Sequence, residues 1–188
     1  MNEQDSYEPV RLYTPASRER TLAFLRLVDH QFVPPLSSDL RYGSLEAYLE
    51  YSLADGQGRV LIYEREPKII GFLAYRYERS DGVGPGESIY LSNMCVSESL
   101  MGTVLIRLFR AMIRQVEAEG LGTAQRIWAK TWRQNIASAR TLARLGLQHV
   151  QTIAEDPAFE GCRDTLVFEG TWAAFVRNVR DLCAASRC

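Results

Sequence analysis

Between Tyr90 and Glu119 the sequence predicts a short buried strand, a turn and then a long amphipathic helix. The strand covers 90–96. The helix carries apolar residues spaced so that they share one face: Val104, Leu105, Leu108, Phe109, Met112, Ile113 and Val116. Because arginines occupy its other faces, we expect this helix to pack one side against a sheet, as in α/β proteins.

The turn between this strand and helix has the sequence SESLMGT at 97–103. A helix N-terminus presents free backbone N–H groups and the positive end of the helix dipole, which suit a phosphate. Two interpretations stay open from these residues alone. The turn either binds an anionic ligand or only joins a strand to a helix in an ordinary α/β domain.

Length and charge limit the classes of protein to consider. The chain has 188 residues, of which 46% are hydrophobic and 24% charged, and its formal net charge is -1. We expect one domain over 1–170, with 171–188 as a C-terminal helical extension. The small net charge predicts no nucleic-acid partner and no anionic-membrane partner. The polar N-terminus and the lack of an apolar run of about 20 residues predict a cytoplasmic protein.

The cysteines and histidines give no sign of a metal site. Four cysteines and two histidines are present, and no two cysteines have the CxxC spacing typical of zinc ligands. We therefore expect no metal, and reduced thiols.

The remaining elements complete a mixed α/β pattern. Further strands are predicted at 10–13, 59–64, 68–77, 126–132, 149–154 and 164–168, and further helices from Pro15 to the Pro34-Pro35 pair, after Ser44, from Asn135 to Leu145, and over 171–185. The order is β-α-α-β-β-β-α-β-α-β-β-α. Strands 2 to 4 are predicted to be antiparallel, so we expect a mixed, mostly antiparallel central sheet with helices on both faces.

The last helix has an apolar face that includes Trp172, Phe175 and Val179. Two interpretations remain for this face. It packs on its own domain, or it forms the contact of a homodimer.

The segment from Asn135 to Leu147 reads N-I-A-S-A-R-T-L-A-R-L-G-L. With the element order, it resembles the second cofactor segment of the GNAT superfamily of N-acetyltransferases, N-x-x-A/S-x-x-L-Y-x-K-x-G-F. The resemblance implies a GNAT-like fold in which Asn135, Ser138 and Arg144 bind acetyl-CoA or another acyl-CoA. Helical spacing places Asn135 and Ser138 on one face. A capped amphipathic helix explains the same residues by packing alone.

The family's first cofactor segment, V-x-P-x-x-R/Q-G-x-G-x-G/A, aligns with V-S-E-S-L-M-G-T-V-L-I from Val96. The resemblance implies that the acyl-CoA diphosphate lies against the start of the helix, at Met101, Gly102, Thr103, Val104, Leu105 and Ile106. Met101, Val104 and Ile106 depart from the pattern. Valine at a position of close approach adds a Cβ and two methyl groups, which predicts a poorer fit to the diphosphate.

The resemblance also implies how the thioester is held and attacked. In this family the central strand separates from the next strand, which frees the backbone around Met94, Cys95 and Val96 for the pantetheine arm. Glu87, Tyr90 and Ser92 are the candidates for catalytic groups on or before that strand. The family's acidic tyrosine is replaced by Leu142, which has no proton to donate. Glu87 follows a glycine-rich loop and has an alternative interpretation as a solvated residue.

A second local likeness concerns the acceptor. The segment D-H-Q-F-V-P-P-L-S from Asp29 resembles a group of bacterial GNAT proteins with D-x-x-F-x-P-P-L-S. The resemblance implies that Asp29 holds or deprotonates an amine while Phe32 and Pro34 shape its pocket. The alternative is that Asp29 lies on the surface and Phe32 in the core.

Taken together, these features predict an acyl-CoA-dependent N-acyltransferase that acts on a primary amine of a small molecule or peptide. Two other functions stay open. Because Met101, Val104, Ile106 and Leu142 replace family residues together, the chain is alternatively a GNAT-fold binding or regulatory module without turnover. It is otherwise an acyltransferase with a different donor, such as a carrier-protein acyl group or an aminoacyl-tRNA.

Overall fold

The computed structural model describes residues 9–32, 34–78, 88–97, 101–120, 125–156 and 163–185. Its strands are β1 (Val10–Leu12), β2 (Gly58–Arg65), β3 (Lys68–Glu78), β4 (Ser88–Val96), β5 (Arg126–Trp132), β6 (Gln148–Asp156) and β7 (Arg163–Thr171). Its helices are α1 (Arg18–Val28), α2 (Leu45–Leu53), α3 (Met101–Ala118), α4 (Ile136–Arg144) and α5 (Trp172–Ala185). Short 3-10 turns cover Pro15–Ser17, Asp29–Gln31 and Ala54–Gly56.

The strands form one sheet in the order β1-β2-β3-β4-β5-β7-β6. Neighbouring strands are antiparallel except β4 and β5, which run parallel. A parallel pair needs a crossover connection, and α3 supplies it. The predicted mixed, mostly antiparallel sheet is therefore confirmed.

Each face of the sheet has its own core. On one face α1 and α2 bury residues that include Leu22, Leu25, Tyr48, Leu49, Val60, Ile62, Phe72 and Cys95. On the other face α3 and α5 pack together with residues that include Leu73, Tyr75, Leu91, Leu108, Met112, Val116, Ile127 and Phe175. Leu142 of α4 and Leu145, which caps the end of that helix, join this second core. The prediction of helices on both faces is confirmed.

The first turn of α3 approaches β3 closely at Gly71. A Cβ atom built on Gly71 would lie 2.6 Å from Cγ1 of Val104 and 3.1 Å from Cδ1 of Leu108. The absence of a side chain at 71 is what allows α3 to sit this near the sheet. The Val104 side chain consequently points into the core and is 3% exposed.

The C-terminal helix α5 packs on α3 within the second core. The rings of Phe175 and Phe109 meet edge to face with centroids 5.7 Å apart, and Trp172 stacks on Phe175 at 5.3 Å. Phe175 and Val179 are almost fully buried. The predicted apolar face of the extension is therefore occupied within the chain, and a dimer contact through this helix stays a prediction.

One predicted boundary was wrong. The first helix was expected to continue to the proline pair, but α1 ends at Val28 and the 3-10 turn Asp29–Gln31 leads to an extended Phe32. Proline disfavours helical backbone in the residue before it, so a helix is expected to end ahead of Pro34. In addition, the Asp29 carboxylate accepts a hydrogen bond from the Ser37 backbone N–H at 3.1 Å and ties the following loop back to the turn.

Candidate active site

The two parallel strands β4 and β5 separate in the middle of the sheet. Their pairing covers Ser88 with Arg126 through Leu91 with Ala129. Beyond that point β4 remains paired with β3 through Val96, while β5 remains paired with β7 through Trp132. Among the described residues, the β5-facing edge of β4 therefore has no strand partner after Leu91, and its backbone groups are available to a ligand.

A β-bulge coincides with this separation. Tyr75 of β3 pairs with Leu91, whereas the preceding Ala74 pairs with Asn93, so Ser92 is an extra residue on β4. The Ser92 hydroxyl donates a hydrogen bond to the Ala74 carbonyl at 3.0 Å. The bulge turns the strand locally and directs the side chains of Asn93 and Cys95 toward the α1–α2 face.

A cavity of about 440 Å³ opens at the gap between the strands. We refer to it as the cleft. Its walls come from β4, β5, the start of α3, α4, α2 and the loop before α2, and they include Phe32, Pro34, Asp39, Arg41, Tyr42, Tyr48, Tyr51, Ser52, Tyr90, Ser92, Asn93, Met94, Cys95, Val96, Leu105, Asn135, Ser138 and Leu142.

The α4 side of the cleft contains the matched cofactor segment. Asn135 caps the helix, since its Oδ1 accepts a hydrogen bond from the Ser138 backbone N–H at 3.1 Å. Asn135 and Ser138 both line the cleft and give this wall an amide and a hydroxyl, while Leu142, which is 1% exposed, adds apolar surface. Arg144 lies exposed at the end of the helix and outside the cleft lining.

The start of α3 adjoins the cleft through Leu105. Met101 is its first residue, and 98–100 lie outside the described residues. Gly102 and Thr103 are exposed, and a Cβ atom at Gly102 would meet nothing within 4 Å. The expectation that Val104 obstructs an approaching diphosphate was wrong, because its side chain packs against Gly71 in the core. Ile106 is half-buried and does not line the cleft.

The loop before α2 forms the opposite wall. Phe32 and Pro34 lie in it, and both line the cleft. Asp29 does not line the cleft. Its two carboxylate oxygens accept hydrogen bonds from the backbone N–H and the hydroxyl of Ser37. This arrangement favours the interpretation of Asp29 as a loop-stabilising residue.

An ion pair in this wall, between buried Asp39 and exposed Arg41, was missed by sequence reasoning. Asp39 is 3% exposed, and its carboxylate accepts hydrogen bonds from Arg41 Nε at 3.0 Å and from the Arg41 backbone N–H at 2.9 Å. Burial raises the pKa of Asp39, but the hydrogen bonds and charge of Arg41 outweigh it, so the pKa lies below its ordinary value. The D-x-R spacing of an Asx turn was the available signal.

Aromatic side chains surround the catalytic candidates on β4. Tyr90 stacks on Trp128 with ring centroids 4.3 Å apart. Burial, with smaller contributions from Tyr42 and Tyr51, raises the pKa of Tyr90, so at neutral pH its phenol is a hydrogen-bond donor and not a base. Burial likewise raises the pKa of Cys95, which stays a thiol. Glu87 lies outside the described residues.

Among the described residues, no helix is both long enough and apolar enough to cross a membrane. His, Cys, Asp and Glu side chains form no group of three that is suited to a metal ion, within the same described ranges.

The fold is similar to that of solved structures that are described as acetyltransferases or that contain CoA. A probable acetyltransferase from Staphylococcus epidermidis superposes with a TM-score of 0.69 at 10% identity, over 87% of this chain and 98% of that one. An acetyltransferase of the GNAT family from Streptococcus pneumoniae gives 0.65 at 15% identity, over 86% and 98%. A chain of the NatC complex bound to Gag peptide and CoA gives 0.63 at 13% identity, over 86% and 96%. No protein-family model matches the sequence, and no curated protein matches it.

Proposed function

We propose that this chain, which has the fold of the GNAT superfamily of N-acetyltransferases, transfers an acyl group from an acyl-CoA to a primary amine. Acetyl-CoA is the donor that we favour, and the acceptor is an amine of a small molecule or a peptide. The observation that carries the proposal is the separation of β4 from β5, because it opens a cleft whose walls combine a free strand edge with the capped start of α4.

The residues around the cleft fit an acyl-CoA. The free edge of β4 over Asn93–Val96 offers backbone groups to the pantetheine amides, in the manner of an added strand. Asn135 and Ser138 add an amide and a hydroxyl from α4. The exposed start of α3, with open space at Gly102, offers N–H groups and the helix dipole to the diphosphate.

The donor supplies the thioester, and the protein supplies positioning and hydrogen bonds. The amine nitrogen forms a bond to the carbonyl carbon, the carbon–sulfur bond breaks, and the proton lost by the amine is balanced by the proton gained by the thiol. Holding both substrates in one cleft makes this encounter effectively intramolecular. A backbone N–H near Met94 or Cys95 is suited to stabilise the charge that develops on the carbonyl oxygen.

The acceptor end is the aromatic wall opposite α4. Phe32, Pro34 and Tyr90 supply apolar surface there, and the Ser92 hydroxyl remains able to accept a hydrogen bond after donating one to Ala74. A protonated amine is not a nucleophile, so a base or a chain of waters is required. Glu87, directly before β4, stays one of the predicted candidates for this base.

A binding module without turnover is the second candidate, and Leu142 favours it. This buried leucine stands where the resemblance implies a proton donor to the departing thiol. Such a module binds acyl-CoA without transferring its acyl group. A carrier-protein donor would make the diphosphate contact at α3 unnecessary.

The transfer assay separates these candidates. Purified protein is mixed with acetyl-CoA and a set of primary amines that includes free amino acids, polyamines and peptides with free N-termini. Release of the CoA thiol is followed with time, and acetylated product is identified by mass spectrometry. We expect protein-dependent thiol release with at least one amine class. Saturable acetyl-CoA binding without any release across the set would assign the chain to the binding modules.

Asn135 provides a test of the α4 contact. Asn135→Ala removes both the helix cap and the amide, so we expect stability to fall by about 1 kcal/mol and acetyl-CoA binding to weaken about 10-fold. Asn135→Ser is the matched control, because serine caps a helix but is too short to replace the amide. We expect Asn135→Ser to recover the stability and not the affinity, in thermal unfolding and calorimetric titration. Parent-like affinity in both variants would remove Asn135 from the donor site.

A further inference from the structure

Tyr48 of α2 is a buried tyrosine whose hydroxyl has no hydrogen-bond partner among the described residues. The residue is 1% exposed, and its ring packs edge to face on Tyr42 at 5.1 Å and against Phe72 at 6.2 Å. Packing accounts for an aromatic ring at this position. It does not account for the hydroxyl, because a buried polar group without a partner costs free energy that a phenylalanine would avoid.

Tyr48 lines the part of the cleft where β4 has lost its strand partner, together with Asn93 and Cys95. The side chains of Ser52 and Asn93 lie near enough to its hydroxyl to lower its pKa as hydrogen-bond neighbours, although neither meets the geometry of a hydrogen bond. Asn93 and Cys95 follow the bulge, where β4 has lost β5 as its partner. The phenol therefore approaches the free strand edge from the α2 side, where the donor thioester is expected to lie.

Two other tyrosines serve as a contrast. The hydroxyls of Tyr75 and Tyr77 are also buried without a partner by hydrogen-bond geometry. Both belong to the opposite core, under α3, and neither lines the cleft. Of these three unpartnered phenols among the described residues, Tyr48 is the one whose side chain lines the cleft.

We propose that the Tyr48 hydroxyl donates a hydrogen bond to the carbonyl oxygen of the bound thioester, as a side-chain member of the oxyanion site. This inference rests on the proposed function. As the amine nitrogen bonds to the carbonyl carbon, an electron pair of the carbonyl moves onto the oxygen, and Tyr48 stabilises that charge beside a β4 backbone N–H. The pair returns as the carbon–sulfur bond breaks, and Tyr48 keeps its proton throughout.

The chemistry of the site suits a donor that is never ionised. Burial is the main cause that raises the pKa of the Tyr48 hydroxyl well above its ordinary value; Cys95 adds to the rise, whereas the side chains of Ser52 and Asn93 lower the pKa. The phenol therefore carries its proton at any working pH. Leu142 cannot donate a proton to the departing thiol. Catalysis therefore depends more on stabilising the charge that develops on the carbonyl oxygen.

The test compares Tyr48→Phe with Tyr75→Phe, which removes a buried, unpartnered phenol from the opposite core. We expect Tyr48→Phe to lower kcat by about 100-fold to 1000-fold with little change in affinity for acetyl-CoA. Tyr75→Phe should retain parent kcat. Neither variant should unfold at a lower temperature than the parent, because each loses a hydroxyl without a partner.

A second readout is independent of turnover. Acetyl-CoA labelled with carbon-13 at the carbonyl is bound to each protein, and its carbonyl stretch is measured by infrared difference spectroscopy. A hydrogen bond lowers this frequency, so we expect part of the lowering seen in the parent to be lost in Tyr48→Phe and kept in Tyr75→Phe. An unchanged frequency together with a kcat within about threefold of the parent would overturn the role of Tyr48. A parent protein that binds no acetyl-CoA would instead overturn the proposed function, and this inference with it.

Discussion

Replacing Ser138 by tryptophan is expected to weaken acetyl-CoA binding by at least about 100-fold, which corresponds to about 2.7 kcal/mol. Ser138 is half-buried in the α4 wall of the cleft, one turn below the capped helix start. An indole at this position would project into a cavity of about 440 Å³ that is bounded by packed strands and helices. Packed walls yield little, so the indole would occupy the space where the pantetheine arm is proposed to lie.

Arg140→Trp is the control for this substitution. Arg140 lies on the same helix but is exposed and outside the cleft lining. Calorimetric titration of both variants with acetyl-CoA should therefore show loss of affinity for Ser138→Trp and parent affinity for Arg140→Trp. Parent-like binding by a folded Ser138→Trp protein would mean that the donor does not enter between β4 and α4.

Replacing Phe175 by alanine is expected to lower the free energy of unfolding by about 3–5 kcal/mol. Phe175 is fully buried, and its ring contacts Phe109 of α3 and Trp172 of its own helix. Truncation removes aromatic contacts on two sides and leaves a cavity between α3 and α5. Since α3 adjoins the cleft through Leu105, a loosened α3 should also lower the affinity for the donor.

Denaturant titration measures this effect, with Arg177→Ala as the control. Arg177 lies on the exposed side of α5, and its replacement should change the free energy of unfolding by less than about 0.5 kcal/mol. A loss below about 1 kcal/mol for Phe175→Ala would show that α5 is a peripheral extension and not part of the second core.

The parts of the fold that were predictable are those that depend on periodicity. The apolar stripe of α3 predicted its buried face, and Leu108, Met112 and Val116 are indeed nearly inaccessible. Alternation and short links predicted the antiparallel strands before α3, because a two-residue link at Glu66-Pro67 leaves β2 and β3 no other arrangement. Such signals are local, so one sequence suffices to detect them.

The errors arose where a residue that is distant in the sequence but close in space decides the outcome. Val104 was expected to obstruct a ligand at the start of α3. Its actual neighbour is Gly71 on β3, some thirty positions earlier in the chain, which accepts the valine side chain into the core. The end of α1 was misplaced for a similar reason, since Asp29 bonds to Ser37 in the loop and not within a longer helix.

The candidate site was predicted in outline from Asn135 and Ser138, because an N-cap and the residue three positions later share a helix face. The contributions of Asp39 and Tyr48 depend on burial against other elements, which no local pattern specifies. An aspartate near an arginine and a tyrosine within an amphipathic helix are ordinary features of a sequence. Their place in the cleft becomes visible only in the folded chain, where α2 and the loop before it pack over the gap between β4 and β5.

Calorimetric titration of the purified, folded protein with acetyl-CoA tests the central claim most directly. The cleft between β4 and β5, with Asn135 and Ser138 on one wall, predicts saturable binding of one donor per chain with a Kd in the micromolar range. Free CoA should compete for the same site. A trace without saturable heat, repeated at a second temperature to exclude a vanishing enthalpy, would contradict the assignment of this cleft to an acyl-CoA.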